Sequence, residues 1–346
     1  RARARRWLRR WTPNDGLVDP DAEEREALAR HQLAARSYSP TALQNFAACP
    51  YRFFLQAIHR LAPRDEIESL EVIDPLTRGA LFHEVQFDFL TAMREAGRLP
   101  VTSATLKAAH ATLDSTLAAV AGRRYDKLAP AIERVWLDGI DSIRADLREW
   151  LRRSALDSAR WRPDRFELGF GLADRSQADP ASVTDPVELA IGLRLRGSID
   201  LVERGADHSL RVTDHKTGRV RAERDLIIGG GKTLQPVLYA LAAERVLGEP
   251  IEAGRLYYCT AAGGYEERVV TIDAAARAAA ADMTAIIGQA LADGFLPAAP
   301  DARECEYCDY RRVCGPYEQT RLEHKIGKKS EAYTRLESLR RLREMR

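Results

Sequence analysis

The stretch SIDLVERGADHSLRVTDHKTG, residues 198–218, decides the fold. Its apolar runs, 199–202 and 210–213, read as two neighbouring strands, with ERGADHS as the turn between them. Charge follows the apolar residues: Asp200 lies in the first strand, and Asp214 and Lys216 close the second. With the turn centred on Asp207, Asp200 and Asp214 are each seven residues away and face one another across an antiparallel pair. Directly opposed positions have Cβ atoms about 4.5–5.5 Å apart, so two carboxylates there repel unless a cation lies between them. Hard oxygen ligands favour Mg²⁺ or Mn²⁺. Lys216, two residues past Asp214, points to the same face. An ammonium there can orient a water or stabilise developing negative charge. The plain alternative is a solvated hairpin end with a salt bridge.

Working outward, 346 residues suit one large domain or two ordinary ones, and 45% hydrophobic with 30% charged residues suits a globular protein with a sizeable core. No apolar run approaches the roughly 18 residues that span a bilayer. The opening RARARRWLRRW has no apolar core and no cleavage site, so it does not read as a secretory signal. Lacking an initiator Met, the chain reads as a fragment or as the C-terminal part of something longer, with a stand-alone protein as the alternative. Net charge is only +2 but unevenly spread: residues 1–11 hold six Arg and no acid, and 321–346 hold nine Lys or Arg against four Glu. Basic ends suit a polyanionic partner such as nucleic acid, and equally suit a solvated helical face.

Residues 1–36 are charged and helix-prone. In SPTALQNFAACPYRFFL, Ser39 is an N-cap and Pro40 the first helical residue. Phe82, Val85, Phe89 and Met93 give helical spacing over 80–96, and 103–160 reads as a helical insert or lid. Leu189, Ile191, Leu193 and Leu195 alternate as one strand. A helix over LQPVLYALAAERVLG, strands at GRLYYCTA and ERVVTI and a helix over 273–291 complete an α/β or α+β domain around a central mixed sheet.

Asp200, with TDHK at Asp214 and Lys216, resembles the PD-(D/E)xK nuclease core in its Asp-x-Lys form. Gln235 and Tyr239, four apart on one helix face, resemble the Q-x-x-x-Y motif of the RecB-like branch. RGALFHEV places His83 four residues after Gly79, like that branch's motif-one histidine. The resemblance covers most of residues 37–317 and implies a restriction-endonuclease-like core. It also implies that His83, Asp200 and Asp214 bind metal with help from the His215 carbonyl, that Lys216 assists the attacking water, and that Gln235 and Tyr239 contact DNA or brace the site. Taken alone, His83 reads as a packed histidine, Gln235 as a surface residue and Tyr239 as core.

Five cysteines without a secretion signal argue against a disulfide framework and for a reducing cytoplasm. Cys305, Cys308 and Cys314 form C-x2-C-x5-C, and Cys49 lies far upstream in CPYRFFL. Four thiols can hold zinc or an iron–sulfur cluster. The 3 + 1 split resembles the iron–sulfur staple of AddB-type nuclease domains and of CRISPR-associated RecB-like exonucleases, which implies a structural [4Fe–4S] cluster. Cys259, in LYYCTA, reads as a buried apolar residue.

GGGKT at 229–233 is a decoy: a nucleotide-binding loop needs Gly at position 226, which is Leu226. It reads as a flexible loop near DNA. The expectation is a nuclease domain over 37–318, flanked by a basic segment at 1–36 and a basic helix at 319–346. It hydrolyses DNA, exonucleolytically at single-stranded ends, in double-strand break repair with a helicase partner and no membrane. Its rivals are a catalytically silent iron–sulfur module that binds DNA ends, a zinc-stapled structural protein and a CRISPR spacer-processing exonuclease.

Overall fold

The computed structural model describes residues 2–62, 71–173, 177–327 and 330–346. The strands are β1 (Gly16–Leu17), β2 (Trp161–Phe170), β3 (Val187–Leu189), β4 (Leu193–Leu195), β5 (Gly197–Gly205), β6 (Leu210–Lys216), β7 (Ile251–Tyr258), β8 (Glu267–Thr271) and β9 (Leu296–Pro297). The central sheet has the order β2-β5-β6-β7-β8. Its pairings are antiparallel except β6 with β7, which run parallel. A parallel pair needs a crossover, here the helix α5 (Gln235–Leu247, the fifth of the longer helices).

The expected hairpin forms, but β5 runs on through Glu203 and Arg204, which pair with Arg211 and Leu210. Leu201 pairs with Thr213, and the same register carried one step further sets Asp200 opposite Asp214. The single strand expected over 189–195 is instead a tight hairpin of β3 and β4. Gly192, at φ 80°, donates its N–H to the Leu189 carbonyl and turns the chain there. Alternating apolar residues do not distinguish one strand from two short ones when a glycine sits between them.

The first long helix, α1 (Pro40–Ala48), starts as expected, with Ser39 Oγ accepting from Ala42 N. The next, α2 (Pro75–Glu95), begins a turn earlier than its apolar spacing indicates. Asp74 caps it by accepting from Leu76 N and Thr77 N, and Pro75 takes the first helical position. The expected insert is a pair, α3 (Leu106–Leu128) and α4 (Glu133–Asp157). It packs with α2 into one apolar core that includes Phe89, Trp150 and Phe166. A second core, on α1, α5 and α6 (Ala274–Asp293), includes Phe46, Val237 and Ile287.

The basic ends are not simply solvated. Asp15, wholly buried, lies 2.9 Å from Arg321 and 3.2 Å from Lys325. Arg6, also buried, donates to the Cys314 carbonyl at 2.7 Å and pairs with Glu318 at 2.5 Å. Lys325 closes α7 (Glu318–Lys325) and donates to the Leu8 and Arg10 carbonyls at 2.6 Å each. Beyond it the chain forms two short helices, Glu331–Thr334 and α8 (Glu337–Arg343), rather than one. No described helix is long and apolar enough to cross a membrane.

Candidate metal centre and active site

Three neighbouring elements deliver the charged groups. β5 brings Asp200, β6 brings Asp214 and Lys216, and α2 brings His83. The helix comes close because residue 79 is glycine: a Cβ there would lie 3.3 Å from Thr217 Oγ1, one residue past the lysine. His83 Nδ1 lies 3.5 Å from Asp200 Oδ1. The other oxygen, Asp200 Oδ2, accepts the His215 backbone N–H at 2.6 Å. Lys216 Nζ lies 2.6 Å from Asp214 Oδ2, and that ion pair is the sole partner of this buried oxygen among the described residues.

The two carboxylates are pushed in opposite directions. Burial would raise Asp200, but His83 and the His215 N–H hold it down at about 2. Burial raises Asp214, and Asp200 opposes its ionisation, with Lys216 pulling the other way. Burial would lower His83, but Asp200 overcomes that and raises it to about 9. Lys216 is raised against its own burial by Asp214. Each of these groups is therefore tuned by another within the cluster, the pattern of a site that handles charge.

A further acid belongs here that sequence reasoning missed. Ligand atoms of His83, Glu167 and Asp200 all lie within 4.8 Å of one another. Glu167 is buried in β2, between Phe166, paired with Leu201, and Leu168, paired with Ile199. Ser198 Oγ donates to its Oε2 at 2.7 Å. Its φ is 50°, uncommon for a strand residue that is not glycine. A lone Glu in an apolar strand was the available signal. Its position beside Asp200 depends on strand pairing across 33 residues. Asp214 is not in this tight group.

A divalent cation suits the donor set. Carboxylate oxygens are ligands for it, Asp200 is held ionised, and the His83 ring becomes a ligand once the cation displaces its proton. The His215 ring is not a site group: it is buried among Trp150, Tyr257 and His83, with neither nitrogen partnered among the described residues and its pKa lowered to about 3 by burial. Gln235 Oε1 accepts from Gln44 Nε2 at 2.8 Å and lines the same cavity as Lys216. Tyr239 packs edge-on to Phe170, 6.1 Å between centroids, and lies against Gly197.

The family model for the PD-(D/E)XK nuclease superfamily matches residues 37–315. This chain belongs to that superfamily. The PD-(D/E)XK domain keeps the expected architecture, a five-stranded mixed sheet flanked by helices. It is similar to an ATP-dependent helicase/deoxyribonuclease subunit of Lacticaseibacillus casei, 28% identical over 259 residues. That match covers 71% of this chain and 20% of the relative. The protein of the same name from Moorella thermoacetica is 29% identical over 231 residues, 62% of this chain and 19% of the relative. The domain thus spans about a fifth of the length of these relatives.

In this PD-(D/E)XK domain, Cys49, Cys305, Cys308 and Cys314 line one cavity. Their sulfurs are not drawn tightly together: no three lie within 4.8 Å of one another among the described residues. Burial raises the Cys49 and Cys305 thiols to about 11 and Cys314 to about 12. Cys259 is wholly buried in the core around α2 and α4, as expected of an apolar residue.

Proposed function

We propose that this domain is a divalent-metal-dependent deoxyribonuclease of the RecB/AddB type. The observation that carries the reading is the convergence of His83, Glu167 and Asp200 beside the Asp214–Lys216 pair. Mg²⁺ or Mn²⁺, when bound, would neutralise phosphate charge and acidify a water. His83, Glu167 and Asp200 would hold it, with Asp214 and the His215 carbonyl completing the set. On DNA binding Lys216 turns from Asp214 towards the phosphate, where its ammonium orients the water and offsets developing charge. Gln235 positions the strand, and Tyr239 braces β5 through Gly197.

The finer reading is exonucleolytic cutting of single-stranded ends during double-strand break repair, in the cytoplasm, alongside a helicase partner. Relatives named as helicase/deoxyribonuclease subunits support the helicase partner and the DNA substrate. On this reading 37–318 is the nuclease domain, and 1–36 and 319–346 flank it. Cys49, Cys305, Cys308 and Cys314 would hold a [4Fe–4S] cluster, since Cys49 and the three later cysteines, far apart in the chain, share one cavity. A single zinc ion, about 2.3 Å from each of four tetrahedral thiolates, needs sulfurs about 3.8 Å apart, which suits this spacing less well.

The test is cleavage of end-labelled single-stranded and duplex DNA with Mn²⁺ or Mg²⁺ under anaerobic conditions, with the absorbance spectrum of the same samples. Metal-dependent cutting, reduced roughly 10²-fold or more in Lys216→Ala, is expected from a brown protein. A folded wild type that cuts nothing sinks the nuclease reading, and a colourless one sinks the cluster.

A further inference from the structure

Resting on the reading of this domain as a nuclease, we propose that the loop after Lys216 is a rigid basic ledge that holds the phosphates of a single DNA strand beside the active site. Its three working groups are Arg219, Arg221 and Arg224. All three are exposed, and none makes an ion pair or side-chain hydrogen bond among the described residues. All three line the same cavity of about 1040 Å³ as Lys216 and Gln235.

The loop is pinned by its backbone, which leaves these side chains free. Thr260 Oγ1 donates to the Thr217 carbonyl at 3.0 Å. The Tyr258 hydroxyl accepts from Arg221 N at 3.4 Å and Ala222 N at 3.2 Å. Arg268 Nε donates to the Ala222 carbonyl at 3.0 Å. Ala222, Leu226 and Ile228 are buried beneath. A loop fixed before the strand arrives spends little ordering entropy on binding. Two acids, Glu223 and Asp225, share the loop, and neither pairs with these arginines.

The other cations of the cavity are already spent. Lys232 is held by Asp301 at 2.5 Å and Glu304 at 2.9 Å. Arg343 donates to the Ala47, Ala48 and Ala299 carbonyls, and Arg346 to that of Asp225. The glycines of GGGKT, all at positive φ, are occupied too: Gly229 N donates to the Arg346 carbonyl and Gly230 N to that of Met345. They serve the packing of the C-terminal segment, not a nucleotide phosphate. Bonds to carbonyls hold Arg343 and Arg346 in place without neutralising them, so the ledge arginines are the cations of this cavity left free to move onto a phosphate. Beside the ledge, Gln44 and Gln235 are joined through Gln44 Nε2 and Gln235 Oε1, which leaves Gln44 Oε1 and Gln235 Nε2 to meet the edge of an unpaired base.

The experiment is fluorescence anisotropy of a labelled thymidine oligonucleotide, without added divalent metal, across a salt series. Three proteins are compared: wild type, R219Q/R221Q/R224Q, and the charge-matched control R5Q/R9Q/R10Q on the exposed N-terminal segment. The ledge variant is expected to bind at least tenfold more weakly at low salt. The slope of log affinity against log salt should fall by about 2, at roughly 0.7 per phosphate on a single strand. The control should keep its slope. Equal losses in both variants, an unchanged slope in the ledge variant, or no binding by the wild type overturns the ledge, and equal dependence of a blunt duplex on the three arginines overturns the single-strand assignment. Cleavage with Mn²⁺ on the same samples is read separately. Cutting without a slope change sinks the ledge alone, and a slope change without cutting sinks the nuclease reading alone.

Discussion

Glu167 shows how much a single residue's conformation decides. Its left-handed φ of 50° inside a strand is an unfavoured backbone state for a side chain of this size, and such states persist where surrounding contacts impose them. Here the outlier brings a carboxylate to His83 and Asp200. Glu167→Gln keeps the size and the acceptor oxygen for Ser198 but removes the charge. Mn²⁺ affinity, followed by the electron paramagnetic resonance signal of the free ion, is expected to fall at least tenfold with little change in melting temperature. Unchanged affinity would remove Glu167 from the metal set. Asp200, Asp214 and Lys216 were legible because their relation is local: a short turn fixes the register of a hairpin. His83 was legible through its spacing from Gly79. Glu167 was not, since only the pairing of β2 with β5 makes it a neighbour of Asp200.

At the scale of elements, strands β5, β6 and β7 are tied by a buried polar cluster. Glu203 accepts from Arg211 at 2.9 Å through both oxygens, from Arg255 at 3.1 and 2.9 Å and from Thr213 at 2.6 Å. Burial would raise this carboxyl, but Arg255 and Arg211 overcome it and hold it at about 2. A depressed carboxyl adds stability above its unfolded value, about 4.3, and that stability is lost as pH falls towards 2. The melting temperature should therefore drop between about pH 4.5 and 2, and drop less in Glu203→Gln. At pH 7 that variant should lose roughly 3 kcal/mol in urea unfolding, because it leaves buried guanidiniums uncompensated. Equal pH slopes in the two proteins would contradict the assignment. None of this was legible beforehand, since Glu203 was read as a turn residue. Strand periods were visible, yet which strands ran longer depended on partners elsewhere in the chain. The same limit hid the β3–β4 hairpin.

Across the whole molecule, the charged ends illustrate what composition alone leaves open. Arg6, Arg321 and Lys325 belong to basic tracts that suit nucleic acid, yet they are buried around Asp15 and Glu318. Sequence charge does not reveal which cations find an acid across the fold. The cluster closes the chain beside the cysteines, through Arg6 and the Cys314 carbonyl. Lys325→Met keeps most of the volume but strips one cation from Asp15. It should cost about 3 kcal/mol, seen as an earlier urea midpoint, with the salt slope for DNA unchanged. A midpoint equal to wild type would show that Arg321 alone satisfies Asp15. The closure also sets a timetable for biosynthesis. Asp15 leaves the ribosome 310 residues ahead of Lys325, and at roughly 5–20 residues per second that wait lasts about 15–60 s. For most of that interval Cys49 waits in the same way for Cys305, Cys308 and Cys314, so the cavity that the four cysteines line stays open on the nascent chain until the last of them has emerged.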